Sequence, residues 1–412
     1  MIDTIAVLDF GSQYAQLIVR RIREAKVYAE LFPWDASFEK VASVKPKGFV
    51  LSGGPGSVYD ADAPIIPDYV LESGLPILGI CYGMHALTAA LGGEVTMADK
   101  REYGFMNLSF VKPSILLRKN DDPQVWMSHG DRIDRLPEGF LVLAKTTNSP
   151  VAAMGDDRRG YYGLQFHPEV HHTPSGDLLI RRFIFDVCGC QPAWSPQSII
   201  DRAVTQIRRQ VGDGDVLSAV SGGVDSSVAA ALAQKAVGEK LSAVFIDTGL
   251  MRKDEGFWVE KVFGKNLNCN FIKLNSEKVF YSNLKGVTEP EEKRRIIGET
   301  FIRIFESTAH KLGDPKFLVQ GTIYPDVIES RAPERSSANR IKTHHNVGGL
   351  PDEMNFELVE PLRYLFKDEV RMVGEALGLP KGMIWRQPFP GPGLAVRCLG
   401  EINLTRIEKL RQ

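Results

Sequence analysis

The sequence predicts an α/β protein built from two open, mostly parallel sheets. Three observations carry that prediction. Short, near-continuous Val/Ile/Leu runs end in glycine-containing turns and alternate with helical patterns, as in a parallel sheet covered on both faces. The pattern starts twice, on either side of a stretch interrupted by Pro192, Trp194 and Pro196. The length, 412 residues, argues against a single domain.

Taken in order, TIAVLDFG (Thr4 to Gly11) is a β-branched run closed by glycine, and QYAQLIVRRIREA carries apolar residues at helical spacing. GFVLSGGPGS and LPILGICYG repeat the theme of strand, tight turn and following element. Asp121 to Leu141 is polar and reads as turn-rich, and YYGLQFHPEV returns to a strand. Past CGCQPAWSPQ, the run SIIDRAVTQIRRQV begins a new amphipathic helix. DVLSAVSGGVDSS, LSAVFIDTG and KFLVQGTIYPD then read as three strands ending in turns. Domains are expected at 1–193 and 194–386, with 387–412 as a further segment. SRAPERSSANRIKTHH is charged, Ser-rich and aperiodic; most such loops are merely solvated, and one this long between strands also suits a lid.

Composition narrows the function. Lys plus Arg number 50 against 51 Asp plus Glu, which argues against binding nucleic acid through an overall basic field. No apolar run approaches the roughly 20 residues needed to span a bilayer, and the opening MIDTIAVLDFGSQ lacks signal-peptide features. Five scattered cysteines do not form a disulfide framework. A cytoplasmic enzyme with no nucleic-acid or membrane partner is expected.

GICYG places Cys81 between two glycines, immediately after an apolar strand and before the helix MHALTAAL. That is a nucleophile elbow with cysteine in place of serine, and a helix N-terminus favours the thiolate. A small buried cysteine at a strand–helix junction is the commoner role for this residue type; the paired glycines decide for a nucleophile. The base is His167 in QFHPEV. On an extended strand, positions two apart share a face, so Glu169 is placed to orient the imidazole. His171 and His172 read as a polar strand end, and His129 as structural or near the rim. SGGPGS (Ser52 to Ser57) offers glycine-rich backbone suited to presenting N–H donors to an oxyanion, or simply a tight turn.

The second site is SGGVDSS: Ser221, Gly222, Gly223, Val224, Asp225, Ser226 and Ser227, between the strand DVLSAV and the helix SSVAAALAQKA. Two glycines admit a phosphate close to the backbone, while hydroxyls and helix N–H groups donate to it. No GxxxxGK[ST] mononucleotide loop occurs anywhere in the chain. Asp225 is the candidate ligand for a magnesium ion, since oxygen donors suit that hard cation. Lys367 in LFKDEVR is a candidate pyrophosphate ligand, although surface lysines are common.

Together, strand–SGGPGS, strand–GICYG–helix and strand–HPE resemble the class I glutamine amidotransferase family. The resemblance implies that Cys81 attacks the glutamine side-chain amide, His167 moves the proton and Glu169 orients it, with the backbone at Gly54 and Tyr82 as oxyanion hole. SGGVDSS resembles the PP-loop of ATP pyrophosphatases, an adenine-nucleotide α-hydrolase-like fold. AVFIDTGLMR, QGTIYPDVIES, THHNVGGLP, LFKDEVR and RQPFPGPGLAVR are similar to that family's nucleotide-site stretches, although the PFPGPG turns would also serve to break the chain between domains.

With DFGSQY and GICYGMHAL, the whole chain resembles the glutamine-hydrolysing GMP synthases. That implies glutamine, ATP and xanthosine 5'-monophosphate as substrates, Mg2+ as cofactor, and a homodimer for the complete protein. It also implies that 387–412 begins a C-terminal dimerisation domain, most of which would lie beyond Gln412. A chain ending there is expected to fold and bind ATP but to lack part of the acceptor site. Asparagine synthase uses an N-terminal cysteine, whereas this chain opens Met1-Ile2. Glutamine-dependent NAD synthase carries a differently built amidase. A sulfur-inserting PP-loop enzyme would want paired cysteines near the loop, where Cys269 stands alone, and the Cys188–Gly–Cys190 pair lacks the ligand count of a zinc site.

Overall fold

The computed structural model describes residues 2–266, 269–329 and 356–412. The chain divides into two compact units, Met1–Ser195 and Pro196–Gln412. The SRAPERSSANRIKTHH and THHNVGGLP stretches lie outside the described residues.

The first unit is built on an eight-stranded sheet. Its strands are β1 (Thr4–Asp9), β2 (Tyr28–Pro33), β3 (Pro46–Leu51) and β4 (Ile77–Ile80), while β5 (Glu94–Asn107) lies outside it. Next come β6 (Ser109–Phe110), β7 (Gln124–Arg135), β8 (Leu141–Lys145), β9 (Ala153–Asp156) and β10 (Tyr161–Leu164). The sheet order is β2-β1-β3-β4-β10-β9-β8-β6, and β5 pairs with β7 in a separate two-stranded ribbon. From β2 to β10 neighbouring strands run parallel; from β10 outward the pairs are antiparallel. Ile5, Val7, Phe49, Val50 and Ile77 to Ile80 are buried, as a sheet covered on both faces demands.

Two local expectations are corrected. Most of Asp121 to Leu141 is not turn but the twelve-residue strand β7. Its alternate residues Val125, Met127, His129, Asp131 and Ile133 are buried, and two of these five are polar, which hides the period of two. Strand β10 ends at Leu164, and His167 and Glu169 stand in the turn that follows rather than on extended backbone. Pro168 lies between them and has no N–H to give to a ladder. A backbone bond from His167 N–H to Trp126 O and a side-chain bond from the Thr173 hydroxyl to His167 O hold the turn instead.

The second unit holds a five-stranded parallel sheet in the order β13-β12-β11-β14-β15. The strands are β11 (Val216–Ala219), β12 (Leu241–Asp247), β13 (Asn270–Asn275), β14 (Phe317–Val319) and β15 (Glu357–Val359). Strands β13 and β15 escaped the sequence reading because edge strands with mixed burial carry no continuous apolar run. Leu394, Ala395, Cys398, Ile402 and Ile407 share one apolar cluster with Leu217, Val244 and Phe280. Residues 387–412 thus pack into the core of this unit. The PFPGPG turn docks there too: Leu394 N–H donates to Leu250 O at 2.7 Å, and a Cβ on Gly393 would lie 2.3 Å from that same oxygen.

Candidate functional sites

Strands β3, β4 and β10 are adjacent in the sheet, so three sequence motifs far apart in the chain reach one carboxyl edge. β4 runs into Cys81, which caps the helix Tyr82–Ala90 at φ 50°, ψ −108°. A side chain there holds the strained geometry of an elbow, and the neighbours show how it is enforced. A Cβ on Gly79 would lie 2.5 Å from Gly83 O, and one on Gly83 2.3 Å from Leu51 O. Both obstacles are backbone, so neither position accepts a side chain without moving the strand. Gly83→Ala is therefore expected to destabilise the first unit by about 1–3 kcal/mol, read as a lowered urea midpoint.

The Cys81 N–H donates to Leu164 O at 2.7 Å, tying the elbow to the end of β10. Beyond that end, His167 Nδ1 and Glu169 Oε1 are 2.7 Å apart, with Glu169 fully buried. Tyr14 meets the imidazole edge-on at 5.4 Å between centroids, and Arg21 Nε donates to Glu169 O. The Cys81 thiol donates to Ser128 O at 3.6 Å and faces His167, whose pKa it helps to raise. Burial works against a charged His167, but the bonds to Cys81 and Glu169 outweigh it and raise its pKa to about 10. A group raised above its ordinary 6.5 contributes stability that is fully present below that pH and lost as pH rises through about 10. The His167 Cε1–H resonance should accordingly titrate well above 6.5, and Glu169→Gln should lower the midpoint. A parental midpoint at 6.5 or below would contradict the ion pair.

The Gly53 and Gly54 backbone forms the other wall. A Cβ on Gly53 would lie 3.3 Å from His167 Cε1 and 3.7 Å from Cys81 Cβ; one on Gly54 would lie 2.7 Å from Phe10 O and 3.1 Å from the Tyr82 ring. Tyr82 opens its helix, so its N–H has no acceptor within the helix. Ser52 holds the turn, its hydroxyl accepting from Phe10 N–H and donating to Gly53 O. Three residues here were not singled out in the sequence: Gly53, Gln165 and His85. Only the QFH and CYGMH strings hinted at the last two. His129 is structural, bonded through Nδ1 to Asp131 O and through Nε2 to Glu102. His172 packs against Trp126, with ring centroids 4.5 Å apart.

In the second unit the central strand β11 runs into the loop Ser221–Ser227 and the helix Val224–Val237. Gly222 stands at φ +78°, where a Cβ would also lie 2.9 Å from Glu255 Oε1. Ser221 and Ser226 hydroxyls bond each other at 2.9 Å, and Gly223 N–H donates to Ser221 Oγ. Asp225 pairs with Lys367, the first residue of the helix Lys367–Ala376, which the fold brings across 142 residues. Burial raises the Asp225 pKa against the pull of Lys367, and Asp326 adds to the rise. Gly321, after β14, packs on the same helix start, where a Cβ would be 2.9 Å from the Asp225 carbonyl carbon. The buried Asp225 Oδ1 and Ser227 Oγ have no hydrogen-bond partner, so the loop holds unmet polar atoms. Among the described residues no cluster of three or more His, Cys, Asp or Glu is arranged for a metal. One unpartnered carboxylate oxygen nonetheless fits Mg2+, which binds through one or two carboxylates together with substrate phosphates.

An elbow thiol beside an imidazole–carboxylate pair, and a glycine-rich turn opening a helix in a second α/β unit, fit a glutamine-dependent, ATP-using enzyme of amidotransferase type. Family profiles agree: "Glutamine amidotransferase class-I" matches residues 6–187, and "NAD synthase" matches residues 198–296, which include the Ser221–Ser227 loop. A GMP synthase [glutamine-hydrolyzing] from Thermomicrobium roseum is 55% identical over 411 residues, covering 97% of this chain and 76% of the relative. Those of Ectopseudomonas mendocina and Dehalococcoides mccartyi are each 52% identical, covering 99% of this chain and 79% and 77% of their own length. The chain belongs to the glutamine-hydrolysing GMP synthase family. Among the described residues no helix is long and apolar enough to cross a membrane.

Proposed function

We propose that the two sites divide one reaction, in which residues 1–193 free ammonia from glutamine and residues 194–386 use ATP to prepare xanthosine 5'-monophosphate for it. Cys81 Sγ attacks the glutamine amide carbon, and His167, held by Glu169, takes the thiol proton and delivers it to the departing nitrogen. The oxyanion meets the N–H groups of Gly54 and Tyr82. Ammonia leaves, and water hydrolyses the thioester to glutamate. In the second unit the Ser221–Ser227 loop and Lys367 hold the ATP phosphates. The purine 2-oxygen attacks the α-phosphorus, pyrophosphate departs, and ammonia then displaces AMP to give GMP. Mg2+, held by Asp225 together with the ATP phosphates, would offset the charge of the triphosphate.

The observation that carries this reading is the meeting of Cys81, His167 and Glu169 at one sheet edge, in a chain that also holds the Ser221–Ser227 turn. A cytoplasmic homodimer free of nucleic acid and membrane is the accompanying expectation, with 387–412 leading toward the dimer contact. The test is AMP release with xanthosine monophosphate offered against other nucleotide acceptors. Equal release with inosine or uridine monophosphate would refute the assignment of the acceptor.

A further inference from the structure

Two polar side chains beside the elbow have no part in the thiol–imidazole–carboxylate chain. His85, one turn into the helix Tyr82–Ala90, is 3% exposed, and its Nε2 lies 2.6 Å from Gln165 Oε1. Gln165, fully buried, is the second residue before His167, and its Nε2 is 3.9 Å from Cys81 Sγ. The two contacts use opposite ends of one amide. Whatever fixes the first end also fixes which end faces the sulfur.

We propose that Gln165 is a further catalytic residue of the glutamine site, donating from Nε2 to the Cys81 sulfur, and that His85 is the positioning residue that locks its amide in that sense. A carboxamide presents either a donor or an acceptor to a neighbour, according to how it is turned. When His85 Nε2 carries a proton it donates to Gln165 Oε1, and the NH2 group must face the sulfur. When that proton sits on Nδ1 instead, the amide reverses and its oxygen faces the thiolate, which is repulsive. Burial keeps His85 neutral, lowering its pKa to about 4 against the raising effects of Gln165 and Asp131; His129 adds to the lowering. A neutral imidazole carries a single N–H, so the sense of the Gln165 amide is set by the tautomer of His85. Around the sulfur itself the facing groups are His167, Ser128 O and the Gln165 amide, with Glu169 acting through His167. The donor is stronger to a thiolate than to a thiol, since hydrogen bonds to a charged acceptor exceed neutral ones. Its contribution falls on the state that attacks.

This inference rests on Cys81 being the nucleophile, and the test separates the two. The rate of alkylation by iodoacetamide at Cys81 is followed against pH in the intact protein, with peptide mapping to isolate that thiol, together with kcat and KM for glutamate release. Gln165→Leu should move the alkylation profile to higher pH and lower kcat about 10-fold, with KM little changed. Gln165→Glu, close in shape, sets a carboxylate near the thiolate and should shift the profile further. His85→Gln keeps an N–H for Gln165 Oε1 and should retain most of the parental profile, whereas His85→Leu should follow Gln165→Leu. If parental alkylation at Cys81 leaves glutamate release intact, the nucleophile reading itself fails. If alkylation abolishes it but all four variants keep the parental profile, only the roles of Gln165 and His85 are overturned.

Discussion

In the complete enzyme, Cys81→Ala is expected to abolish release of glutamate from glutamine, a loss on the order of 10⁴-fold or more, while GMP formation from added ammonia persists. The asymmetry follows from where the residue sits. Cys81 stands at the carboxyl edge of the first sheet, and the Ser221–Ser227 turn proposed to hold ATP belongs to a sheet of its own in the second unit. On the proposed mechanism, removing the sulfur deletes the group that forms the covalent intermediate. His167→Ala should match it in direction and approach it in size, because an unassisted thiol keeps its proton. Glu169→Ala should be milder, on the order of 10- to 100-fold, since it orients a base that remains present. Glutamate release by Cys81→Ala at the parental rate would exclude the residue as nucleophile.

Asp225→Ala impairs GMP formation from glutamine and from ammonia alike, by on the order of 100-fold or more. Both nitrogen sources converge on the same ATP-activated acceptor, so a lesion in the phosphate loop cannot be bypassed by feeding ammonia. A half-buried carboxylate is an odd neighbour for a triphosphate unless cations offset it. Lys367 supplies one and leaves Oδ1 without a partner. Burial has raised the Asp225 pKa, so its charged form costs stability that is absent at low pH and appears as pH rises past the ordinary carboxylate range. A group kept at such a cost is expected to work through its charge. Magnesium titration of ATP binding reads this directly: the variant should need more magnesium, and an unchanged dependence would remove Asp225 from the ion's ligands.

Much of the first site was legible because its demands are local. A cysteine at φ 50° between a strand and a helix needs glycines where backbone approaches within 2.3–2.5 Å of a would-be Cβ, and GICYG shows them in five letters. The pairing of His167 with Glu169 was anticipated through the wrong geometry. Both lie in a turn, and the 2.7 Å contact comes from that turn's backbone anchors rather than from a strand's alternation. Strand β7 was lost because the partners of its buried polar residues are remote: Glu102 for His129, and Ser57 and Tyr59 for Asp131. The His85–Gln165 contact spans 80 residues and leaves no periodic trace.

By itself, then, the sequence determined the α/β class, the two beginnings, the elbow and the glycine-rich turn at Ser221–Ser227. Each follows from which φ, ψ values and which burial a short segment tolerates. Tertiary structure alone decided that β3, β4 and β10 lie side by side, although 25 and 80 residues separate their ends, and so gathered Gly53, Cys81 and His167 around one thiol. It likewise brought Lys367 to Asp225. Strand order is set by how whole faces bury against one another, a sum over many weak, non-directional contacts, and no short stretch of sequence carries that sum.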